Sequence, residues 1–136
     1  MSIQPYLFFD GRCEEAVAFY KEALGAEVVM LMRYRDSPQQ APGSVPPGGE
    51  DKVMHAALKI GEASLLVSDG LCGGQPSFKG FSVALWVPDA ATAARLFAAL
   101  AEGGQVQMPL APTFFSPGFG MVADKFGVPW MVVARP

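Results

Sequence analysis

The strongest constraint in this sequence is that it resembles itself. Displaced by 78 positions, Leu7–Met30 lies without a gap over Leu85–Met108, with Leu7/Leu85, Ala16/Ala94, Phe19/Phe97, Ala23/Ala101, Gly25/Gly103, Val28/Val106 and Met30/Met108 identical. Seven matches in 24 positions exceed the roughly two expected by chance for such a composition. A repeat of this length implies one supersecondary unit used twice, each copy needing a partner to bury its apolar side.

Each copy reads as strand, helix, strand. Gln4–Phe9 is apolar and aromatic, as strands prefer. Ala16, Phe19, Tyr20, Ala23 and Leu24 recur at helical spacing, Gly25 stands where a left-handed C-cap belongs, and Val28–Met32 resumes as a strand. In the second copy Ala93, Leu96, Phe97, Leu100 and Ala101 make the same stripe, between an N-cap at Asp89 and a C-cap at Gly103. Two further apolar runs follow each unit: Val53–Ile60 and Ala63–Ser68, then Phe119–Ala123 and Trp130–Ala134. The chain therefore reads βαβββ twice, an α+β fold with module 1 at about 1–69, a linker at 70–80 and module 2 at about 81–136. The proline- and glycine-rich stretch Asp36–Asp51 is expected to be a loop.

At 136 residues the chain is the size of one domain, and its 51% hydrophobic and 17% charged composition is globular. A net charge of −3, with ten scattered Lys and Arg, argues against a nucleic-acid partner, which requires clustered cations. No apolar run reaches the roughly 18 residues of a membrane span. The N-terminal residues show no signal-peptide pattern, and Cys13 and Cys72 make no CxxC pair. A cytoplasmic protein without a membrane partner is expected.

Pro5-Tyr6-Leu7 with Phe9, Cys13-Glu14-Glu15-Ala16, His55-Ala56, Ser68-Asp69, Gly118-Phe119-Gly120 and Asp124–Met131 together resemble the PhnB-like branch of the vicinal oxygen chelate superfamily, the group of glyoxalase I, extradiol dioxygenases and bleomycin-resistance proteins. The resemblance implies two βαβββ sheets curled into a cup, helices outside and ligand inside, in a homodimer whose exposed strand edges are covered. Some members of the branch carry a ubiquinone-pathway methyltransferase label. No glycine-rich strand-to-helix turn is present here to hold S-adenosylmethionine.

Metal-dependent members of the superfamily place ligands on the first and last strand of each half. The corresponding positions fall at or beside Pro5, near Leu66, at Ser82 or Val83, and at Met131, and none offers imidazole, carboxylate or thiolate. No cofactor and no metal site are expected, a divalent metal remaining the less favoured alternative.

His55 is the single histidine and the one weak catalytic candidate. Strand alternation groups Val53, His55, Ala57 and Lys59 against Met54, Ala56, Leu58 and Ile60, so His55 can share a surface with Ser64 and Ser68. A structural histidine is the commoner reading. Asp69 is expected in turn or cap chemistry. Cys13 reads as structural, and Cys72 as a linker thiol, the alternative being a Cys72–His55 pair. Arg33 and Arg35 read as strand-end charges able to meet an anionic ligand. Phe115 and Trp130 are the candidates for stacking on a planar ligand, among aromatics that are mostly core.

The favoured function is thus a metal-independent binding protein for an unknown small molecule, with His55, Ser68, Phe115 and Trp130 lining its site. Alternatives are a glyoxalase- or dioxygenase-like metalloenzyme with a non-standard site near His55, and a non-catalytic interaction protein whose cup is filled by its own side chains.

Overall fold

In the computed structural model, which describes residues 1–37, 45, 47–70 and 75–136, the strands and helices follow the doubled order. The first compact unit, Met1–Pro76, holds β1 (Tyr6–Phe8), α1 (Cys13–Leu24), β2 (Glu27–Arg33), β3 (Val53–Ile60) and β4 (Ala63–Ser68). The second, Ser77–Pro136, holds β5 (Val83–Val87), α2 (Ala90–Ala101), β6 (Gln105–Ala111), β7 (Phe119–Ala123) and β8 (Pro129–Ala134). Displacement by 78 carries the bounds of β2 onto those of β6 residue for residue. The division between the units falls inside the segment read as a linker. Cys72 and much of the proline-rich loop lie outside the described residues.

Each unit is one four-stranded mixed sheet, ordered β1-β4-β3-β2 in the first and β5-β8-β7-β6 in the second. The strand before the helix pairs in parallel with the last strand, and all other pairs are antiparallel. No described helix is long and apolar enough to cross a membrane.

The pleat sorts side chains between a helix-covered and an open face. In the first unit Leu7, Ala56, Leu58, Leu65 and Val67 are buried, as are Ala16, Val17, Tyr20, Ala23 and Leu24 of α1. In the second, Val122, Trp130 and Val132 are buried, as are Ala93, Leu96, Phe97 and Leu100 of α2. Gly120 makes room for that helix: a Cβ there would come within 2.7 Å of the Phe97 ring. Alternation holds along β3 except at Val53, which is fully buried where the β2–β3 register shifts between Met32 and Arg33.

The two helices start differently. Asp89 caps α2 locally, its carboxylate accepting from Thr92 N at 2.7 Å, and this bond holds the Asp89 carboxyl below its usual range. At the start of α1, Arg12 makes no side-chain cap. The acceptor comes instead from Asp69, beyond the end of β4: its Oδ1 accepts from Gly11 N at 2.7 Å and Cys13 N at 2.8 Å, and its Oδ2 from Val53 N at 2.9 Å. In the second unit Asp124 plays a related part, accepting from Phe126 N and Val128 N and from the Trp130 indole at 2.9 Å. The first helix ends where expected, with Gly25 as a left-handed C-cap, whereas α2 is capped one residue early at Glu102 and Gly103, expected as its cap, follows at positive φ.

Cys13 is fully buried beside Asp69. Burial first, and then the charge of Asp69, push its thiol far above the ordinary value of 9.0. The Asp69→Asn variant, which presents an amide N–H to backbone donors, is expected to lose on the order of 3 kcal/mol in urea unfolding, whereas Glu62→Gln in the exposed β3–β4 turn changes stability by less than about 0.5 kcal/mol. For Cys13 the folded pKa is the higher one. Its contribution is therefore intact below pH 9 and is lost above it, where the unfolded chain ionises and the folded chain does not. Stability measured across that range should fall more steeply for the native chain than for Cys13→Ala, by up to about 1.4 kcal/mol per pH unit.

Candidate functional site

The face of each sheet turned away from its helix is lined by aromatic and methionine side chains. In the first unit one row runs Tyr6, Leu66, Ala57, Met30 across β1, β4, β3 and β2, and beside it Phe8 pairs with Ser68 and His55 with Met32. Tyr6 and Phe8 are 39% and 49% exposed, and Met30 is 41% exposed, where a packed sheet face would bury them. The Tyr6 and Phe8 rings stack with centroids 5.0 Å apart and planes within 19°.

Two polar side chains sit in this apolar surface. The Tyr6 hydroxyl lies 2.7 Å from His55 Nδ1. Burial raises the Tyr6 phenol above its ordinary value, so it is protonated at neutral pH. Ser68 forms the floor beside them. It is 2% exposed, its hydroxyl donates to Met54 O at 2.7 Å, and Gly70 N donates back to it at 2.9 Å. Of the expected site residues of this unit, His55 is therefore on the open face with a partner, and Ser68 is beneath it, bonded to Met54 O and Gly70 N and within hydrogen-bonding reach of the Tyr6 hydroxyl. Ser64 opposes Lys59 further along the same face.

In the second unit the corresponding rows are Ala84, Met131, Met121, Met108 and Trp86, Val133, Phe119, Ala111. Trp86 is 52% exposed, with the Arg135 guanidinium 5.6 Å from its ring centre. Phe115 stands in the loop before β7, edge-on to Phe119 at 5.2 Å and to Phe114 at 5.1 Å. The expectation for Trp130 needs correction. Trp130 and Met131 are neighbours in β8, so the pleat turns only one of them to the open face. That one is Met131, and Trp130 is 1% exposed with its indole held by Asp124. The exposed indole is Trp86, and the signal was available: Trp86 and Phe8 occupy equivalent places in the repeat.

The remaining candidates have structural partners. Arg33 meets Glu14 through both guanidinium nitrogens, at 3.3 and 2.6 Å, and donates to Asp51 O at 2.7 Å. This bond from Arg33 holds the Glu14 carboxyl below its usual range. Arg35 pairs with Asp51, and Lys52 donates to Gly11 O at 3.0 Å. These groups line a polar cavity of about 360 Å³, but each cation already faces a carboxylate or a carbonyl, which leaves little field for an anion.

The metal positions of the resembled superfamily fall on the first and last strands of each unit. Their open-face residues are Tyr6, Phe8, Leu66 and Ser68, then Ala84, Trp86, Met131 and Val133. Such a donor set does not fit zinc, iron, nickel or manganese. Among the described residues, no group of three His, Cys, Asp or Glu side chains could hold a metal ion.

Known proteins share this architecture along nearly the whole chain. Residues 2–132 match the model of the Glyoxalase/Bleomycin resistance protein/Dioxygenase superfamily. Protein YjdN of Escherichia coli (strain K12) is 36% identical over an alignment covering 97% of this chain and 94% of its own. Protein PA1353 from Pseudomonas aeruginosa is 44% identical in its crystal structure, with a TM-score of 0.85 over 99% of this chain and 98% of that one. The PhnB protein from Bacillus cereus is 27% identical, with a TM-score of 0.79 over 99% and 100%. With paired βαβββ sheets, a match over residues 2–132 and PhnB-like structural neighbours, the chain belongs to the glyoxalase/bleomycin resistance/dioxygenase (vicinal oxygen chelate) superfamily.

Proposed function

We propose that this protein is a metal-independent, cytoplasmic binding protein for a planar aromatic small molecule, held on the open sheet faces. The observation that carries the reading is the exposure of Tyr6, Phe8 and Trp86 on sheet faces rich in methionine, beside the polar His55 and Ser68 in the first unit. Aromatic rings give a flat ligand stacking area, and methionines adapt to its outline. The absence of suitable donors at the superfamily's metal positions weighs against glyoxalase or dioxygenase chemistry. It does so through the residues present, not through any missing ion. Assembly as a homodimer belongs to the same proposal: Val28, Val29 and Met30 follow one another exposed on edge strand β2, and Val106 and Met108 are exposed on β6.

The test is a thermal-shift screen of planar aromatics on protein checked for metals by elemental analysis. A ligand at tenfold its Kd should stabilise by about 1.4 kcal/mol and raise Tm by roughly 4–6 °C. The rise should shrink in Phe8→Ala or Trp86→Ala, whichever unit holds the ligand, and binding near Trp86 should quench its fluorescence. A stoichiometric transition metal retained through dialysis would overturn the metal-independent reading.

A further inference from the structure

The open face of the first unit carries a hydrogen-bonding group whose direction is decided by its neighbour. We propose that the Tyr6 hydroxyl donates to His55 Nδ1 and fixes the imidazole as its Nε2–H tautomer, so that the molecule bound on this face is a flat aromatic compound carrying a hydrogen-bond acceptor. This rests on the small-molecule reading above and deepens it.

The two groups meet at 2.7 Å, a normal length for an O–H···N bond. A phenol oxygen shares its lone pair with its ring and accepts weakly, while the unprotonated imidazole nitrogen accepts strongly, so the phenol donates. Ser68 Oγ also lies within hydrogen-bonding reach of the Tyr6 hydroxyl, but its own proton goes to Met54 O and its oxygen already accepts from Gly70 N, so the imidazole nitrogen is the stronger acceptor for the Tyr6 proton. A neutral imidazole with Nδ1 accepting carries its proton on Nε2. Around that donor stand the stacked Tyr6 and Phe8 rings on β1, the low floor of Ala57 and Leu66, and Met30 and Met32 on β2. An apolar ligand lying here would cover the N–H without satisfying it, and one that carries an acceptor would not. The second unit has no such selection, because Ala84 and Phe119 occupy the places of Tyr6 and His55.

The experiment has two arms. His55 is the only histidine in the chain, so one long-range proton–nitrogen correlation spectrum of nitrogen-15-labelled protein at pH 8 reports its tautomer without assignment. The expected spectrum is that of Nε2–H alone, with the other tautomer entering the average in Tyr6→Phe. A proton on Nδ1 in the native chain overturns the proposal. In the second arm the probes are naphthalene and quinoline, equal in size and differing by one acceptor nitrogen. Quinoline should bind roughly five- to tenfold more tightly, a preference lost in His55→Leu while naphthalene binding persists. Equal binding of both by the native chain overturns the acceptor requirement and leaves aromatic binding standing. Binding of neither overturns the small-molecule reading itself and the acceptor with it. If the His55, Tyr6 and Phe8 signals instead shift together with protein concentration, a second copy is the occupant of this face and the proposal falls.

Discussion

The first unit depends on one buried carboxylate. Asp69 is 1% exposed and takes three backbone N–H groups, from Gly11, Cys13 and Val53. Those donors belong to the turn after β1, the first turn of α1 and the start of β3, so a single side chain fixes how strand, helix and strand meet. A helix N-terminus leaves several N–H groups unpaired, and a carboxylate there is favoured by hydrogen bonding and by the helix dipole alike. The site follows from this arrangement. Asp69 succeeds Ser68 directly, and the turn it holds leads out of β1, which carries Tyr6 and Phe8. Misplacing the carboxylate would therefore disturb both aromatic rings and the floor beneath them.

The superfamily fold can carry metal chemistry, but the open-face residues at its metal positions here, Tyr6, Phe8, Leu66, Ser68, Ala84, Trp86, Met131 and Val133, include no imidazole, carboxylate or thiolate. What the open faces offer instead is stacking area and, in one unit only, an oriented polar pair. Fold and function are separable in this way because the sheets are set by the helix-side residues, Leu58, Val67, Val122 and Val132 among them, while the chemistry is set by the residues that alternate with them.

The repeat, the four later strands and both helix ends were legible because they rest on local physics: alternation, helical spacing, and caps at Gly25 and Asp89. The part of Asp69 was legible only as turn chemistry, since its partners lie up to 58 residues away. The Tyr6–His55 contact spans 49 residues and depends on the β1–β4–β3 register, which no local pattern encodes. Trp130 shows a different failure. Its aromatic character suggested a ligand, but residue type carries less information than pleat position, and Met131 beside it already held the open face.

In the second unit Met108, Met121 and Met131 stand side by side on three adjacent strands. Each is an unbranched chain with three rotatable bonds, so their combined contour is not fixed by the backbone below. Such a surface moulds itself to whatever rests on it and gives up side-chain entropy each time. Two ligands of different outline would meet it with nearly equal success. The duplicated halves have thus become unlike in kind: one carries a fixed polar pair, the other a pliable surface edged by the rigid rings of Trp86 and Phe119.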